Sequence, residues 1–384
     1  DGKASGQLPR LSEAQAEALD AIHRSWLEKE VTLLRGVTSS GKTEIYIHII
    51  NFVLNQGKQA LYLVPEIALT TQLTRRLQEV FGERVVIYHS KFSDNERVDI
   101  WKKLLRSSEP CVVIGARSSV FLPFAKLGAV IVDEEHESSF KQYEPAPRYN
   151  ARDAAMVLAR MHGARTLLGT ATPSVETYWK ALGGKFGLVE LTSRYGDVSL
   201  PRIEVVDMLE ARKAKATRGA LGLRTIKLIR ESISRGSQAI IFQNRRGYAP
   251  VARCKQCAWT PRCSACDVAL TYHQAIRQLQ CHYCGALYPL PKVCPQCKEP
   301  AIEVLGYGTE RVEEELAEVF PEAKTLRMDL DSTRNKDSYE KIIDDFSRRK
   351  ASLLVGTQMV SKGLDFEGVE TVAVVSADTL INFP

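Results

Sequence analysis

Short, nearly continuous apolar runs recur along the first half of the chain, each bounded by turn residues and followed by a longer mixed stretch. Val31–Arg35 is the first; a Gly/Ser/Thr turn and a helix from about Lys42 to Leu54 follow it. Gln59–Val64 reads as a second strand and Thr70–Val80 as a second helix. Val85–Tyr88, Cys111–Gly115, Ala129–Val132 and Thr166–Gly169 are further short strands. Strands buried on both faces lose the alternation of a half-exposed sheet, so this series predicts a parallel sheet covered by helices on both sides.

A polar, basic stretch around Glu210–Arg218 separates a second series. Its strands are Ala239–Gln243, Lys324–Asp329, Ser352–Gly356 and Thr371–Ser376; its helices are Leu223–Ser234, Glu310–Val319 and Asp337–Arg349. A block of Cys, Pro, Gln and aromatic residues interrupts it. The predicted class is therefore α/β, with one parallel-sheet domain over residues 1–197 and a second over 198–250 and 301–384. A small Cys-rich module over residues 251–300 is inserted in the second.

Composition changes this picture little. Hydrophobic residues make up 44% of the chain, enough for full cores, and no apolar run approaches membrane-spanning length. No charged-then-apolar leader opens the chain, which starts at Asp1 and stops at Pro384 just after a strand-like run, so it reads as a segment of a longer protein. The formal charge of +6 suits a phosphate-rich partner without requiring one. Cysteine placement says more. Eight of the nine Cys lie between Cys254 and Cys297 as four Cys-x-x-Cys pairs, with only Cys111 apart. In a large chain this predicts metal binding in a reducing compartment rather than a disulfide framework.

Gly36, Val37, Thr38, Ser39, Ser40, Gly41, Lys42 and Thr43 spell G-x-x-x-x-G-K-T directly after a strand and at the start of a helix. That context is what a phosphate-binding P-loop requires. Backbone N–H groups of such a loop surround the phosphates, Lys42 would neutralise the β/γ-phosphates of ATP, and the Thr43 hydroxyl would complete a Mg²⁺ shell. Asp133, Glu134, Glu135 and His136 follow an apolar strand, which places carboxylates at the sheet edge where open α/β folds bind ligands. Asp133 is assigned to Mg²⁺ and Glu134 to the attacking water. An acidic cluster after a strand is usually a solvated loop; its pairing with the P-loop upstream favours a nucleotide hydrolase.

The segment from Ser138 to Arg152 interleaves aromatic and basic residues. Phe140, Lys141, Tyr143, Arg148, Tyr149 and Arg152 are suited to stacking bases while neutralising phosphates. The competing reading is a Pro-bearing surface loop whose aromatics pack beneath it.

The pairs Cys254/Cys257, Cys263/Cys266, Cys281/Cys284 and Cys294/Cys297 supply ligands for two Zn²⁺ ions. Fourteen residues separate Cys266 from Cys281, a zinc-ribbon spacing that favours a nested arrangement with the inner pairs on one ion and the outer pairs on the other. Sequential pairing is the alternative. Residues 250–300 carry six Lys/Arg and two acids, so eight thiolates and two Zn²⁺ bring the module close to neutral. A neutral module grips phosphate poorly, which favours a duplex wedge or a protein-docking surface, with Trp259, Tyr272 and Tyr283 as contacts or as its small core.

Further runs say which hydrolase this resembles. Asp133–His136 resembles the D-E-x-H box of superfamily 2 helicases, and Gly169, Thr170, Ala171, Thr172 and Pro173 resemble that family's third motif, to which His136 would bridge. Residues 63–70 resemble its first strand-contacting motif, and residues 356–366 its fifth. Gln15 stands where such enzymes place an adenine-reading glutamine. Residues 241–248 followed at once by four Cys pairs closely resemble the PriA family of bacterial replication-restart helicases (primosomal protein N′), from about Leu11 to Asp378.

That resemblance implies two RecA-like domains with ATP in the cleft between them. It implies a 3′-to-5′ DNA helicase acting on single-stranded and forked DNA, with single-stranded-DNA-binding protein and other primosome proteins as partners, in the bacterial cytoplasm at the nucleoid. It also implies nested zinc pairing, nucleotide contacts from Gly363 and Asp365, and a strand contact from Thr357. Three departures stand out. Ser39 occupies a position that is commonly Gly, the family's N-terminal DNA-binding region is missing, and the sixth motif with its arginines is missing. Those arginines are worth about 10³-fold or more in rate, so weak hydrolysis, or a zinc-bearing docking scaffold without turnover, is the alternative for this stretch.

Overall fold

The computed structural model describes residues 6–65, 71–89, 92–194, 201–243, 251–273, 276–281, 283–305, 309–329, 332, 336–357, 360, 364 and 366–377. The chain forms two compact units, Asp1–Pro201 and Arg202–Pro384. Residues 66–70 and 244–248, His282, and Gly363 and Asp365 with most of the fifth motif lie outside the described residues. No helix among the described residues is long and apolar enough to cross a membrane.

The first unit runs α1 (Glu13–Glu28), β1 (Val31–Gly36), α2 (Lys42–Asn55), β2 (Gln59–Leu63), α3 (Thr71–Phe81), β3 (Val85–Tyr88), α4 (Asp94–Arg106) and β4 (Val112–Gly115). It continues with β5 (Leu127–Asp133), α5 (Ala151–Met161), β6 (Arg165–Thr170), α6 (Val175–Leu182) and β7 (Gly187–Leu191). All seven strands are parallel, in the order β3-β4-β2-β5-β6-β1-β7. Successive strand residues enter opposite cores, as the two-residue period demands. Leu34, Tyr62, Ile114 and Leu167 pack with Ile22, Ile45 and Leu77 of α1, α2 and α3. Leu33, Leu61, Val113 and Leu168 pack with Leu104, Ala155 and Ala181 of α4, α5 and α6.

The six expected strands and two expected helices of this unit are present, with ends shifted by a residue or two. β7, α1, α4, α5 and α6 were not expected from the apolar pattern. Two of these have thin buried faces: α4 fully buries only Leu104, and α5 buries Ala151, Ala155 and Ala159. An alanine stripe lets a helix sit close to the sheet, yet it contributes little contrast to an apolar pattern.

The second unit begins with α7 (Met208–Lys213), a small hairpin of β8 (Thr217–Arg218) and β9 (Leu221–Gly222), α8 (Leu223–Ser234) and β10 (Gln238–Gln243). The stretch around Glu210–Arg218 is thus not a mere separator. Asp207 accepts hydrogen bonds from the amides of Leu209 and Glu210 and so nucleates α7. The module follows, as β11 (Val251–Cys254), β12 (Thr271–His273), β13 (Gln278–Gln280), β14 (Leu287–Pro289) and β15 (Ile302–Leu305). The unit ends with α9 (Thr309–Val319), β16 (Thr325–Met328), α10 (Lys336–Ser347), β17 (Leu353–Gly356) and β18 (Val369–Val375).

Its main sheet is parallel, ordered β16-β17-β10-β18. Ile226, Ile229 and Leu316 cover one face and Ile343 and Phe346 the other. The module is an insertion after β10: β11 and β15 pair antiparallel at its base, and β12-β13-β14 form a separate antiparallel sheet. The architecture is two parallel-sheet RecA-like domains, the second carrying the Cys-rich zinc-binding insertion.

Candidate functional site

Because every strand of the first sheet points the same way, the ends of β1, β6 and β5 lie side by side at one edge. The P-loop leaves β1 there, Thr170 ends β6 and Asp133 ends β5. The loop is held from both sides. Val37 N–H donates to Leu191 O of β7 at 3.0 Å, and Gln15 Nε2 donates to the carbonyls of Ser40 at 3.0 Å and Gly41 at 3.3 Å. Gln15 is itself fixed by a reciprocal cap with Ser12.

Ser39 and Gly41 both have positive φ, 62° and 75°. At Ser39 a side chain occupies backbone geometry that favours glycine. A Cβ on Gly41 would lie 2.1 Å from Gln15 Nε2, so a side chain there would displace the Gln15 amide from the loop. The amides of Gly41, Lys42 and Thr43 donate to no backbone carbonyl, and the Ser40 hydroxyl is buried without a partner among the described residues. Such unsatisfied donors at a helix N-terminus fit a phosphate group. Thr38 is exposed beside them, and Lys42 Nζ turns back to Gly36 O at 3.2 Å.

Asp133 lies between two buried tyrosines. Tyr46 Oη donates to Oδ1 at 3.0 Å and Tyr62 Oη to Oδ2 at 3.3 Å, while Glu134 N–H donates to Oδ1 at 3.1 Å. Burial, then the charge of Glu134, pushes the Asp133 carboxyl up to about 6, against the pull of Lys42 and the Tyr46 hydrogen bond. Glu134 has φ 48°, a left-handed conformation that costs free energy in a residue other than glycine. Its Oε2 accepts from the Thr170 hydroxyl at 3.4 Å. His136 Nδ1 lies 2.8 Å from the same hydroxyl oxygen, and Thr172 N–H donates to it at 3.0 Å. With the Thr170 proton directed to Glu134, the Nδ1–H tautomer of His136 completes the set. The acidic box and the third motif are thereby one hydrogen-bonded unit.

Glu135 belongs to a different network. Its buried carboxylate pairs with Arg152 at 2.9 Å and accepts from Ser174 N at 2.7 Å and Thr177 Oγ1 at 2.9 Å. This corrects the expected role of Arg152: its guanidinium ties α5 to α6 and is not offered to a strand. Phe140 is corrected likewise, being 1% exposed within the core beneath its loop. Thr357, at 1% exposure with an enclosed hydroxyl, is buried rather than presented to a strand. Tyr149 is half-buried edge-on against Phe121, and Lys141 Nζ donates to Arg148 O. Of the loop's strand-contact candidates, Tyr143, at 67%, and Arg148 are exposed. Arg117, absent from the sequence candidates, braces the loop by donating to Ser139 O and Lys141 O.

In the module the sulfurs of Cys254, Cys257, Cys294 and Cys297 lie within 4.8 Å of one another, as do those of Cys263, Cys266, Cys281 and Cys284. Separations of 3.5 Å (Cys254–Cys297), 3.6 Å (Cys257–Cys294) and 3.7 Å (Cys263–Cys284) are found. A zinc tetrahedron with bonds of about 2.3 Å has edges of about 3.8 Å, so both donor sets fit Zn²⁺. The grouping is nested, not sequential. Each pair folds into the same turn: the residue after the second Cys (Ala258, Asp267, Gly285 or Lys298) has positive φ and donates to the carbonyl of the first Cys at 2.9–3.0 Å. Tyr272 packs in the module's core while Tyr283 is 66% exposed. Tyr288 Oη reaches Cys263 Sγ at 3.3 Å, a support the sequence reading missed.

Comparison with known proteins agrees with these parts. Residues 12–180 match the DEAD/DEAH box helicase family, residues 263–289 the PriA DNA helicase Cys-rich region domain, and residues 298–382 the helicase conserved C-terminal domain. The replication restart protein PriA of Bacillus subtilis (strain 168) is 43% identical over 384 residues, covering 100% of this chain and 47% of the relative. That of Synechocystis is 40% identical over 388 residues, covering 99% and 46%. A structure of RecG bound to a three-way DNA junction shares the fold, with a TM-score of 0.52 at 20% identity over 95% of this chain and 38% of that one. Spanning about half the length of the relatives it matches, the chain belongs to the PriA family of replication restart proteins.

Proposed function

We propose that this chain is the ATP-driven motor core of a DNA helicase that moves 3′-to-5′ on single-stranded DNA and acts at stalled forks in replication restart and primosome assembly. The observation that carries the reading is the hydrogen-bonded chain from Glu134 through Thr170 to His136, set beside the P-loop at one sheet edge. Such a chain links the group facing the attacking water to the motif that transmits movement.

In this reading the free amides of the P-loop and Lys42 bind the phosphates. Asp133 and the Thr43 hydroxyl hold Mg²⁺, which when bound neutralises charge on the transferring phosphoryl group. Glu134 orients the water and takes its proton. Adenine recognition by Gln15 belongs here too, since its Oε1 keeps one lone pair beyond the bond from Ser12. Gly363 and Asp365 are assigned to the nucleotide on family grounds alone. Tyr143 and Arg148 supply the stacking and phosphate contacts of the strand path. The near-neutral module, holding two Zn²⁺, acts as a wedge or docking surface for partners such as single-stranded-DNA-binding protein. A bacterial cytoplasmic, nucleoid-associated setting goes with this role.

The test is strand displacement on forked substrates with a single-stranded 3′ or 5′ tail, in DNA and in RNA. Unwinding only from a DNA strand that is tracked 3′-to-5′ supports the reading. Equal action on RNA, or opposite polarity, overturns it.

A further inference from the structure

Two side chains outside the motifs named above, Tyr46 and Tyr62, meet at Asp133. Tyr46 lies on α2 four residues, about one helical turn, beyond Lys42, and Tyr62 lies on β2, the strand beside β5. Both are fully buried, with their rings edge-on at 5.6 Å. Tyr46 reaches the carboxylate by passing under β6: a Cβ on Gly169 would stand 1.8 Å from its hydroxyl oxygen. This explains the glycine that opens the third motif, and it makes Tyr46 the point where the first three nucleotide-site motifs touch.

The donor count on Asp133 is asymmetric. Oδ1 accepts from Tyr46 Oη and from Glu134 N–H, which fills both of its lone pairs. Among the described residues Oδ2 accepts only from Tyr62 Oη, leaving one lone pair. We infer that Tyr46 and Tyr62 are positioning residues which hold Asp133 to a single point of contact with the nucleotide-bound cation and so favour Mg²⁺ over Ca²⁺. The chemistry follows from the cations: Mg²⁺ keeps its waters and takes one carboxylate oxygen, whereas Ca²⁺ accepts both oxygens of a carboxylate. Loss of the Tyr46 hydroxyl would free a lone pair on Oδ1 and permit the second mode. This inference rests on the assignment of Asp133 to the cation made above.

The test measures binding of a fluorescent ADP analogue in chelator, in a Mg²⁺ titration and in a Ca²⁺ titration, for wild type, Tyr46→Phe, Tyr62→Phe and Asp133→Asn. The phenylalanines keep the ring volume and remove one hydroxyl each. Metal-free binding should match wild type, while the preference for Mg²⁺ narrows about threefold or more in Tyr46→Phe and Asp133→Asn loses the metal response. A merely structural role would move metal-free binding as well. An unchanged preference in both Phe variants, with the Asp133→Asn effect intact, overturns the inference and leaves the nucleotide site standing. Failure of the wild type to bind nucleotide in any condition overturns both.

Discussion

His136 Nδ1 sits 2.8 Å from the hydroxyl oxygen of Thr170, and that hydroxyl gives its proton to Glu134. The proposed base is thus tied to a residue at the end of the neighbouring strand. Thr170→Val keeps the shape and removes the link. It should lower DNA-stimulated phosphate release about ten- to hundredfold while leaving nucleotide affinity within twofold, a split that a kcat and KM comparison reads directly. A parallel loss of affinity would assign Thr170 to binding instead.

Arg152 and Tyr143 should separate folding from strand binding. Arg152→Ala leaves the Glu135 carboxylate buried without its cation and should cost about 3–5 kcal/mol, seen as a large fall in melting temperature. Tyr143→Ala touches an exposed ring and should leave melting unchanged while weakening binding to a single-stranded oligomer by about 1–3 kcal/mol. The reverse pattern would restore Arg152 to the strand path.

Asp133 gives the metal-free protein a pH dependence of definite sign. Its folded pKa of about 6 lies above the ordinary 3.8, so the fold prefers the protonated acid. The resulting stability is complete below the ordinary value and is lost as pH rises through about 6. In chelator, Asp133→Asn should therefore melt above wild type at pH 8, by on the order of 2 kcal/mol, with the gap closing near pH 4. Equal curves at both pH values would contradict the buried-carboxylate account.

How far these features were legible depends on their range in sequence. The P-loop, the acidic box and the Cys pairs are each written within a few neighbouring residues, and their turns follow from those residues. Asp133 and its tyrosines are separated by 87 and 71 positions, so no local pattern could join them. The most direct signal was Tyr46, one turn past Lys42 on the same helix. Phe140 and Arg152 were misassigned for a related reason: whether a loop aromatic or arginine faces solvent is decided by the helices beneath it, here Ala151 and Ala155 of α5 and Thr177 of α6.

The four thiol turns offer an internal comparison. Gly285 occupies the left-handed position in one, and Ala258 occupies it in another. Gly285→Ala should cost about 1 kcal/mol and Ala258→Gly should recover part of that amount, read as the chelator concentration that releases half the zinc. Chelation should unfold the module's strands while leaving the parallel sheets intact by circular dichroism. Equal chelator sensitivity of the two variants would mean that the turns are not strained as described.

The central claim is that the P-loop and the acidic box form a working motor. Phosphate release with and without a single-stranded DNA oligomer tests it most directly, with Lys42→Ala and Glu134→Gln alongside. The account predicts DNA-stimulated release by the wild type, lost in both variants, with Glu134→Gln still binding nucleotide. Release that persists in both variants, or none from the wild type, would contradict it.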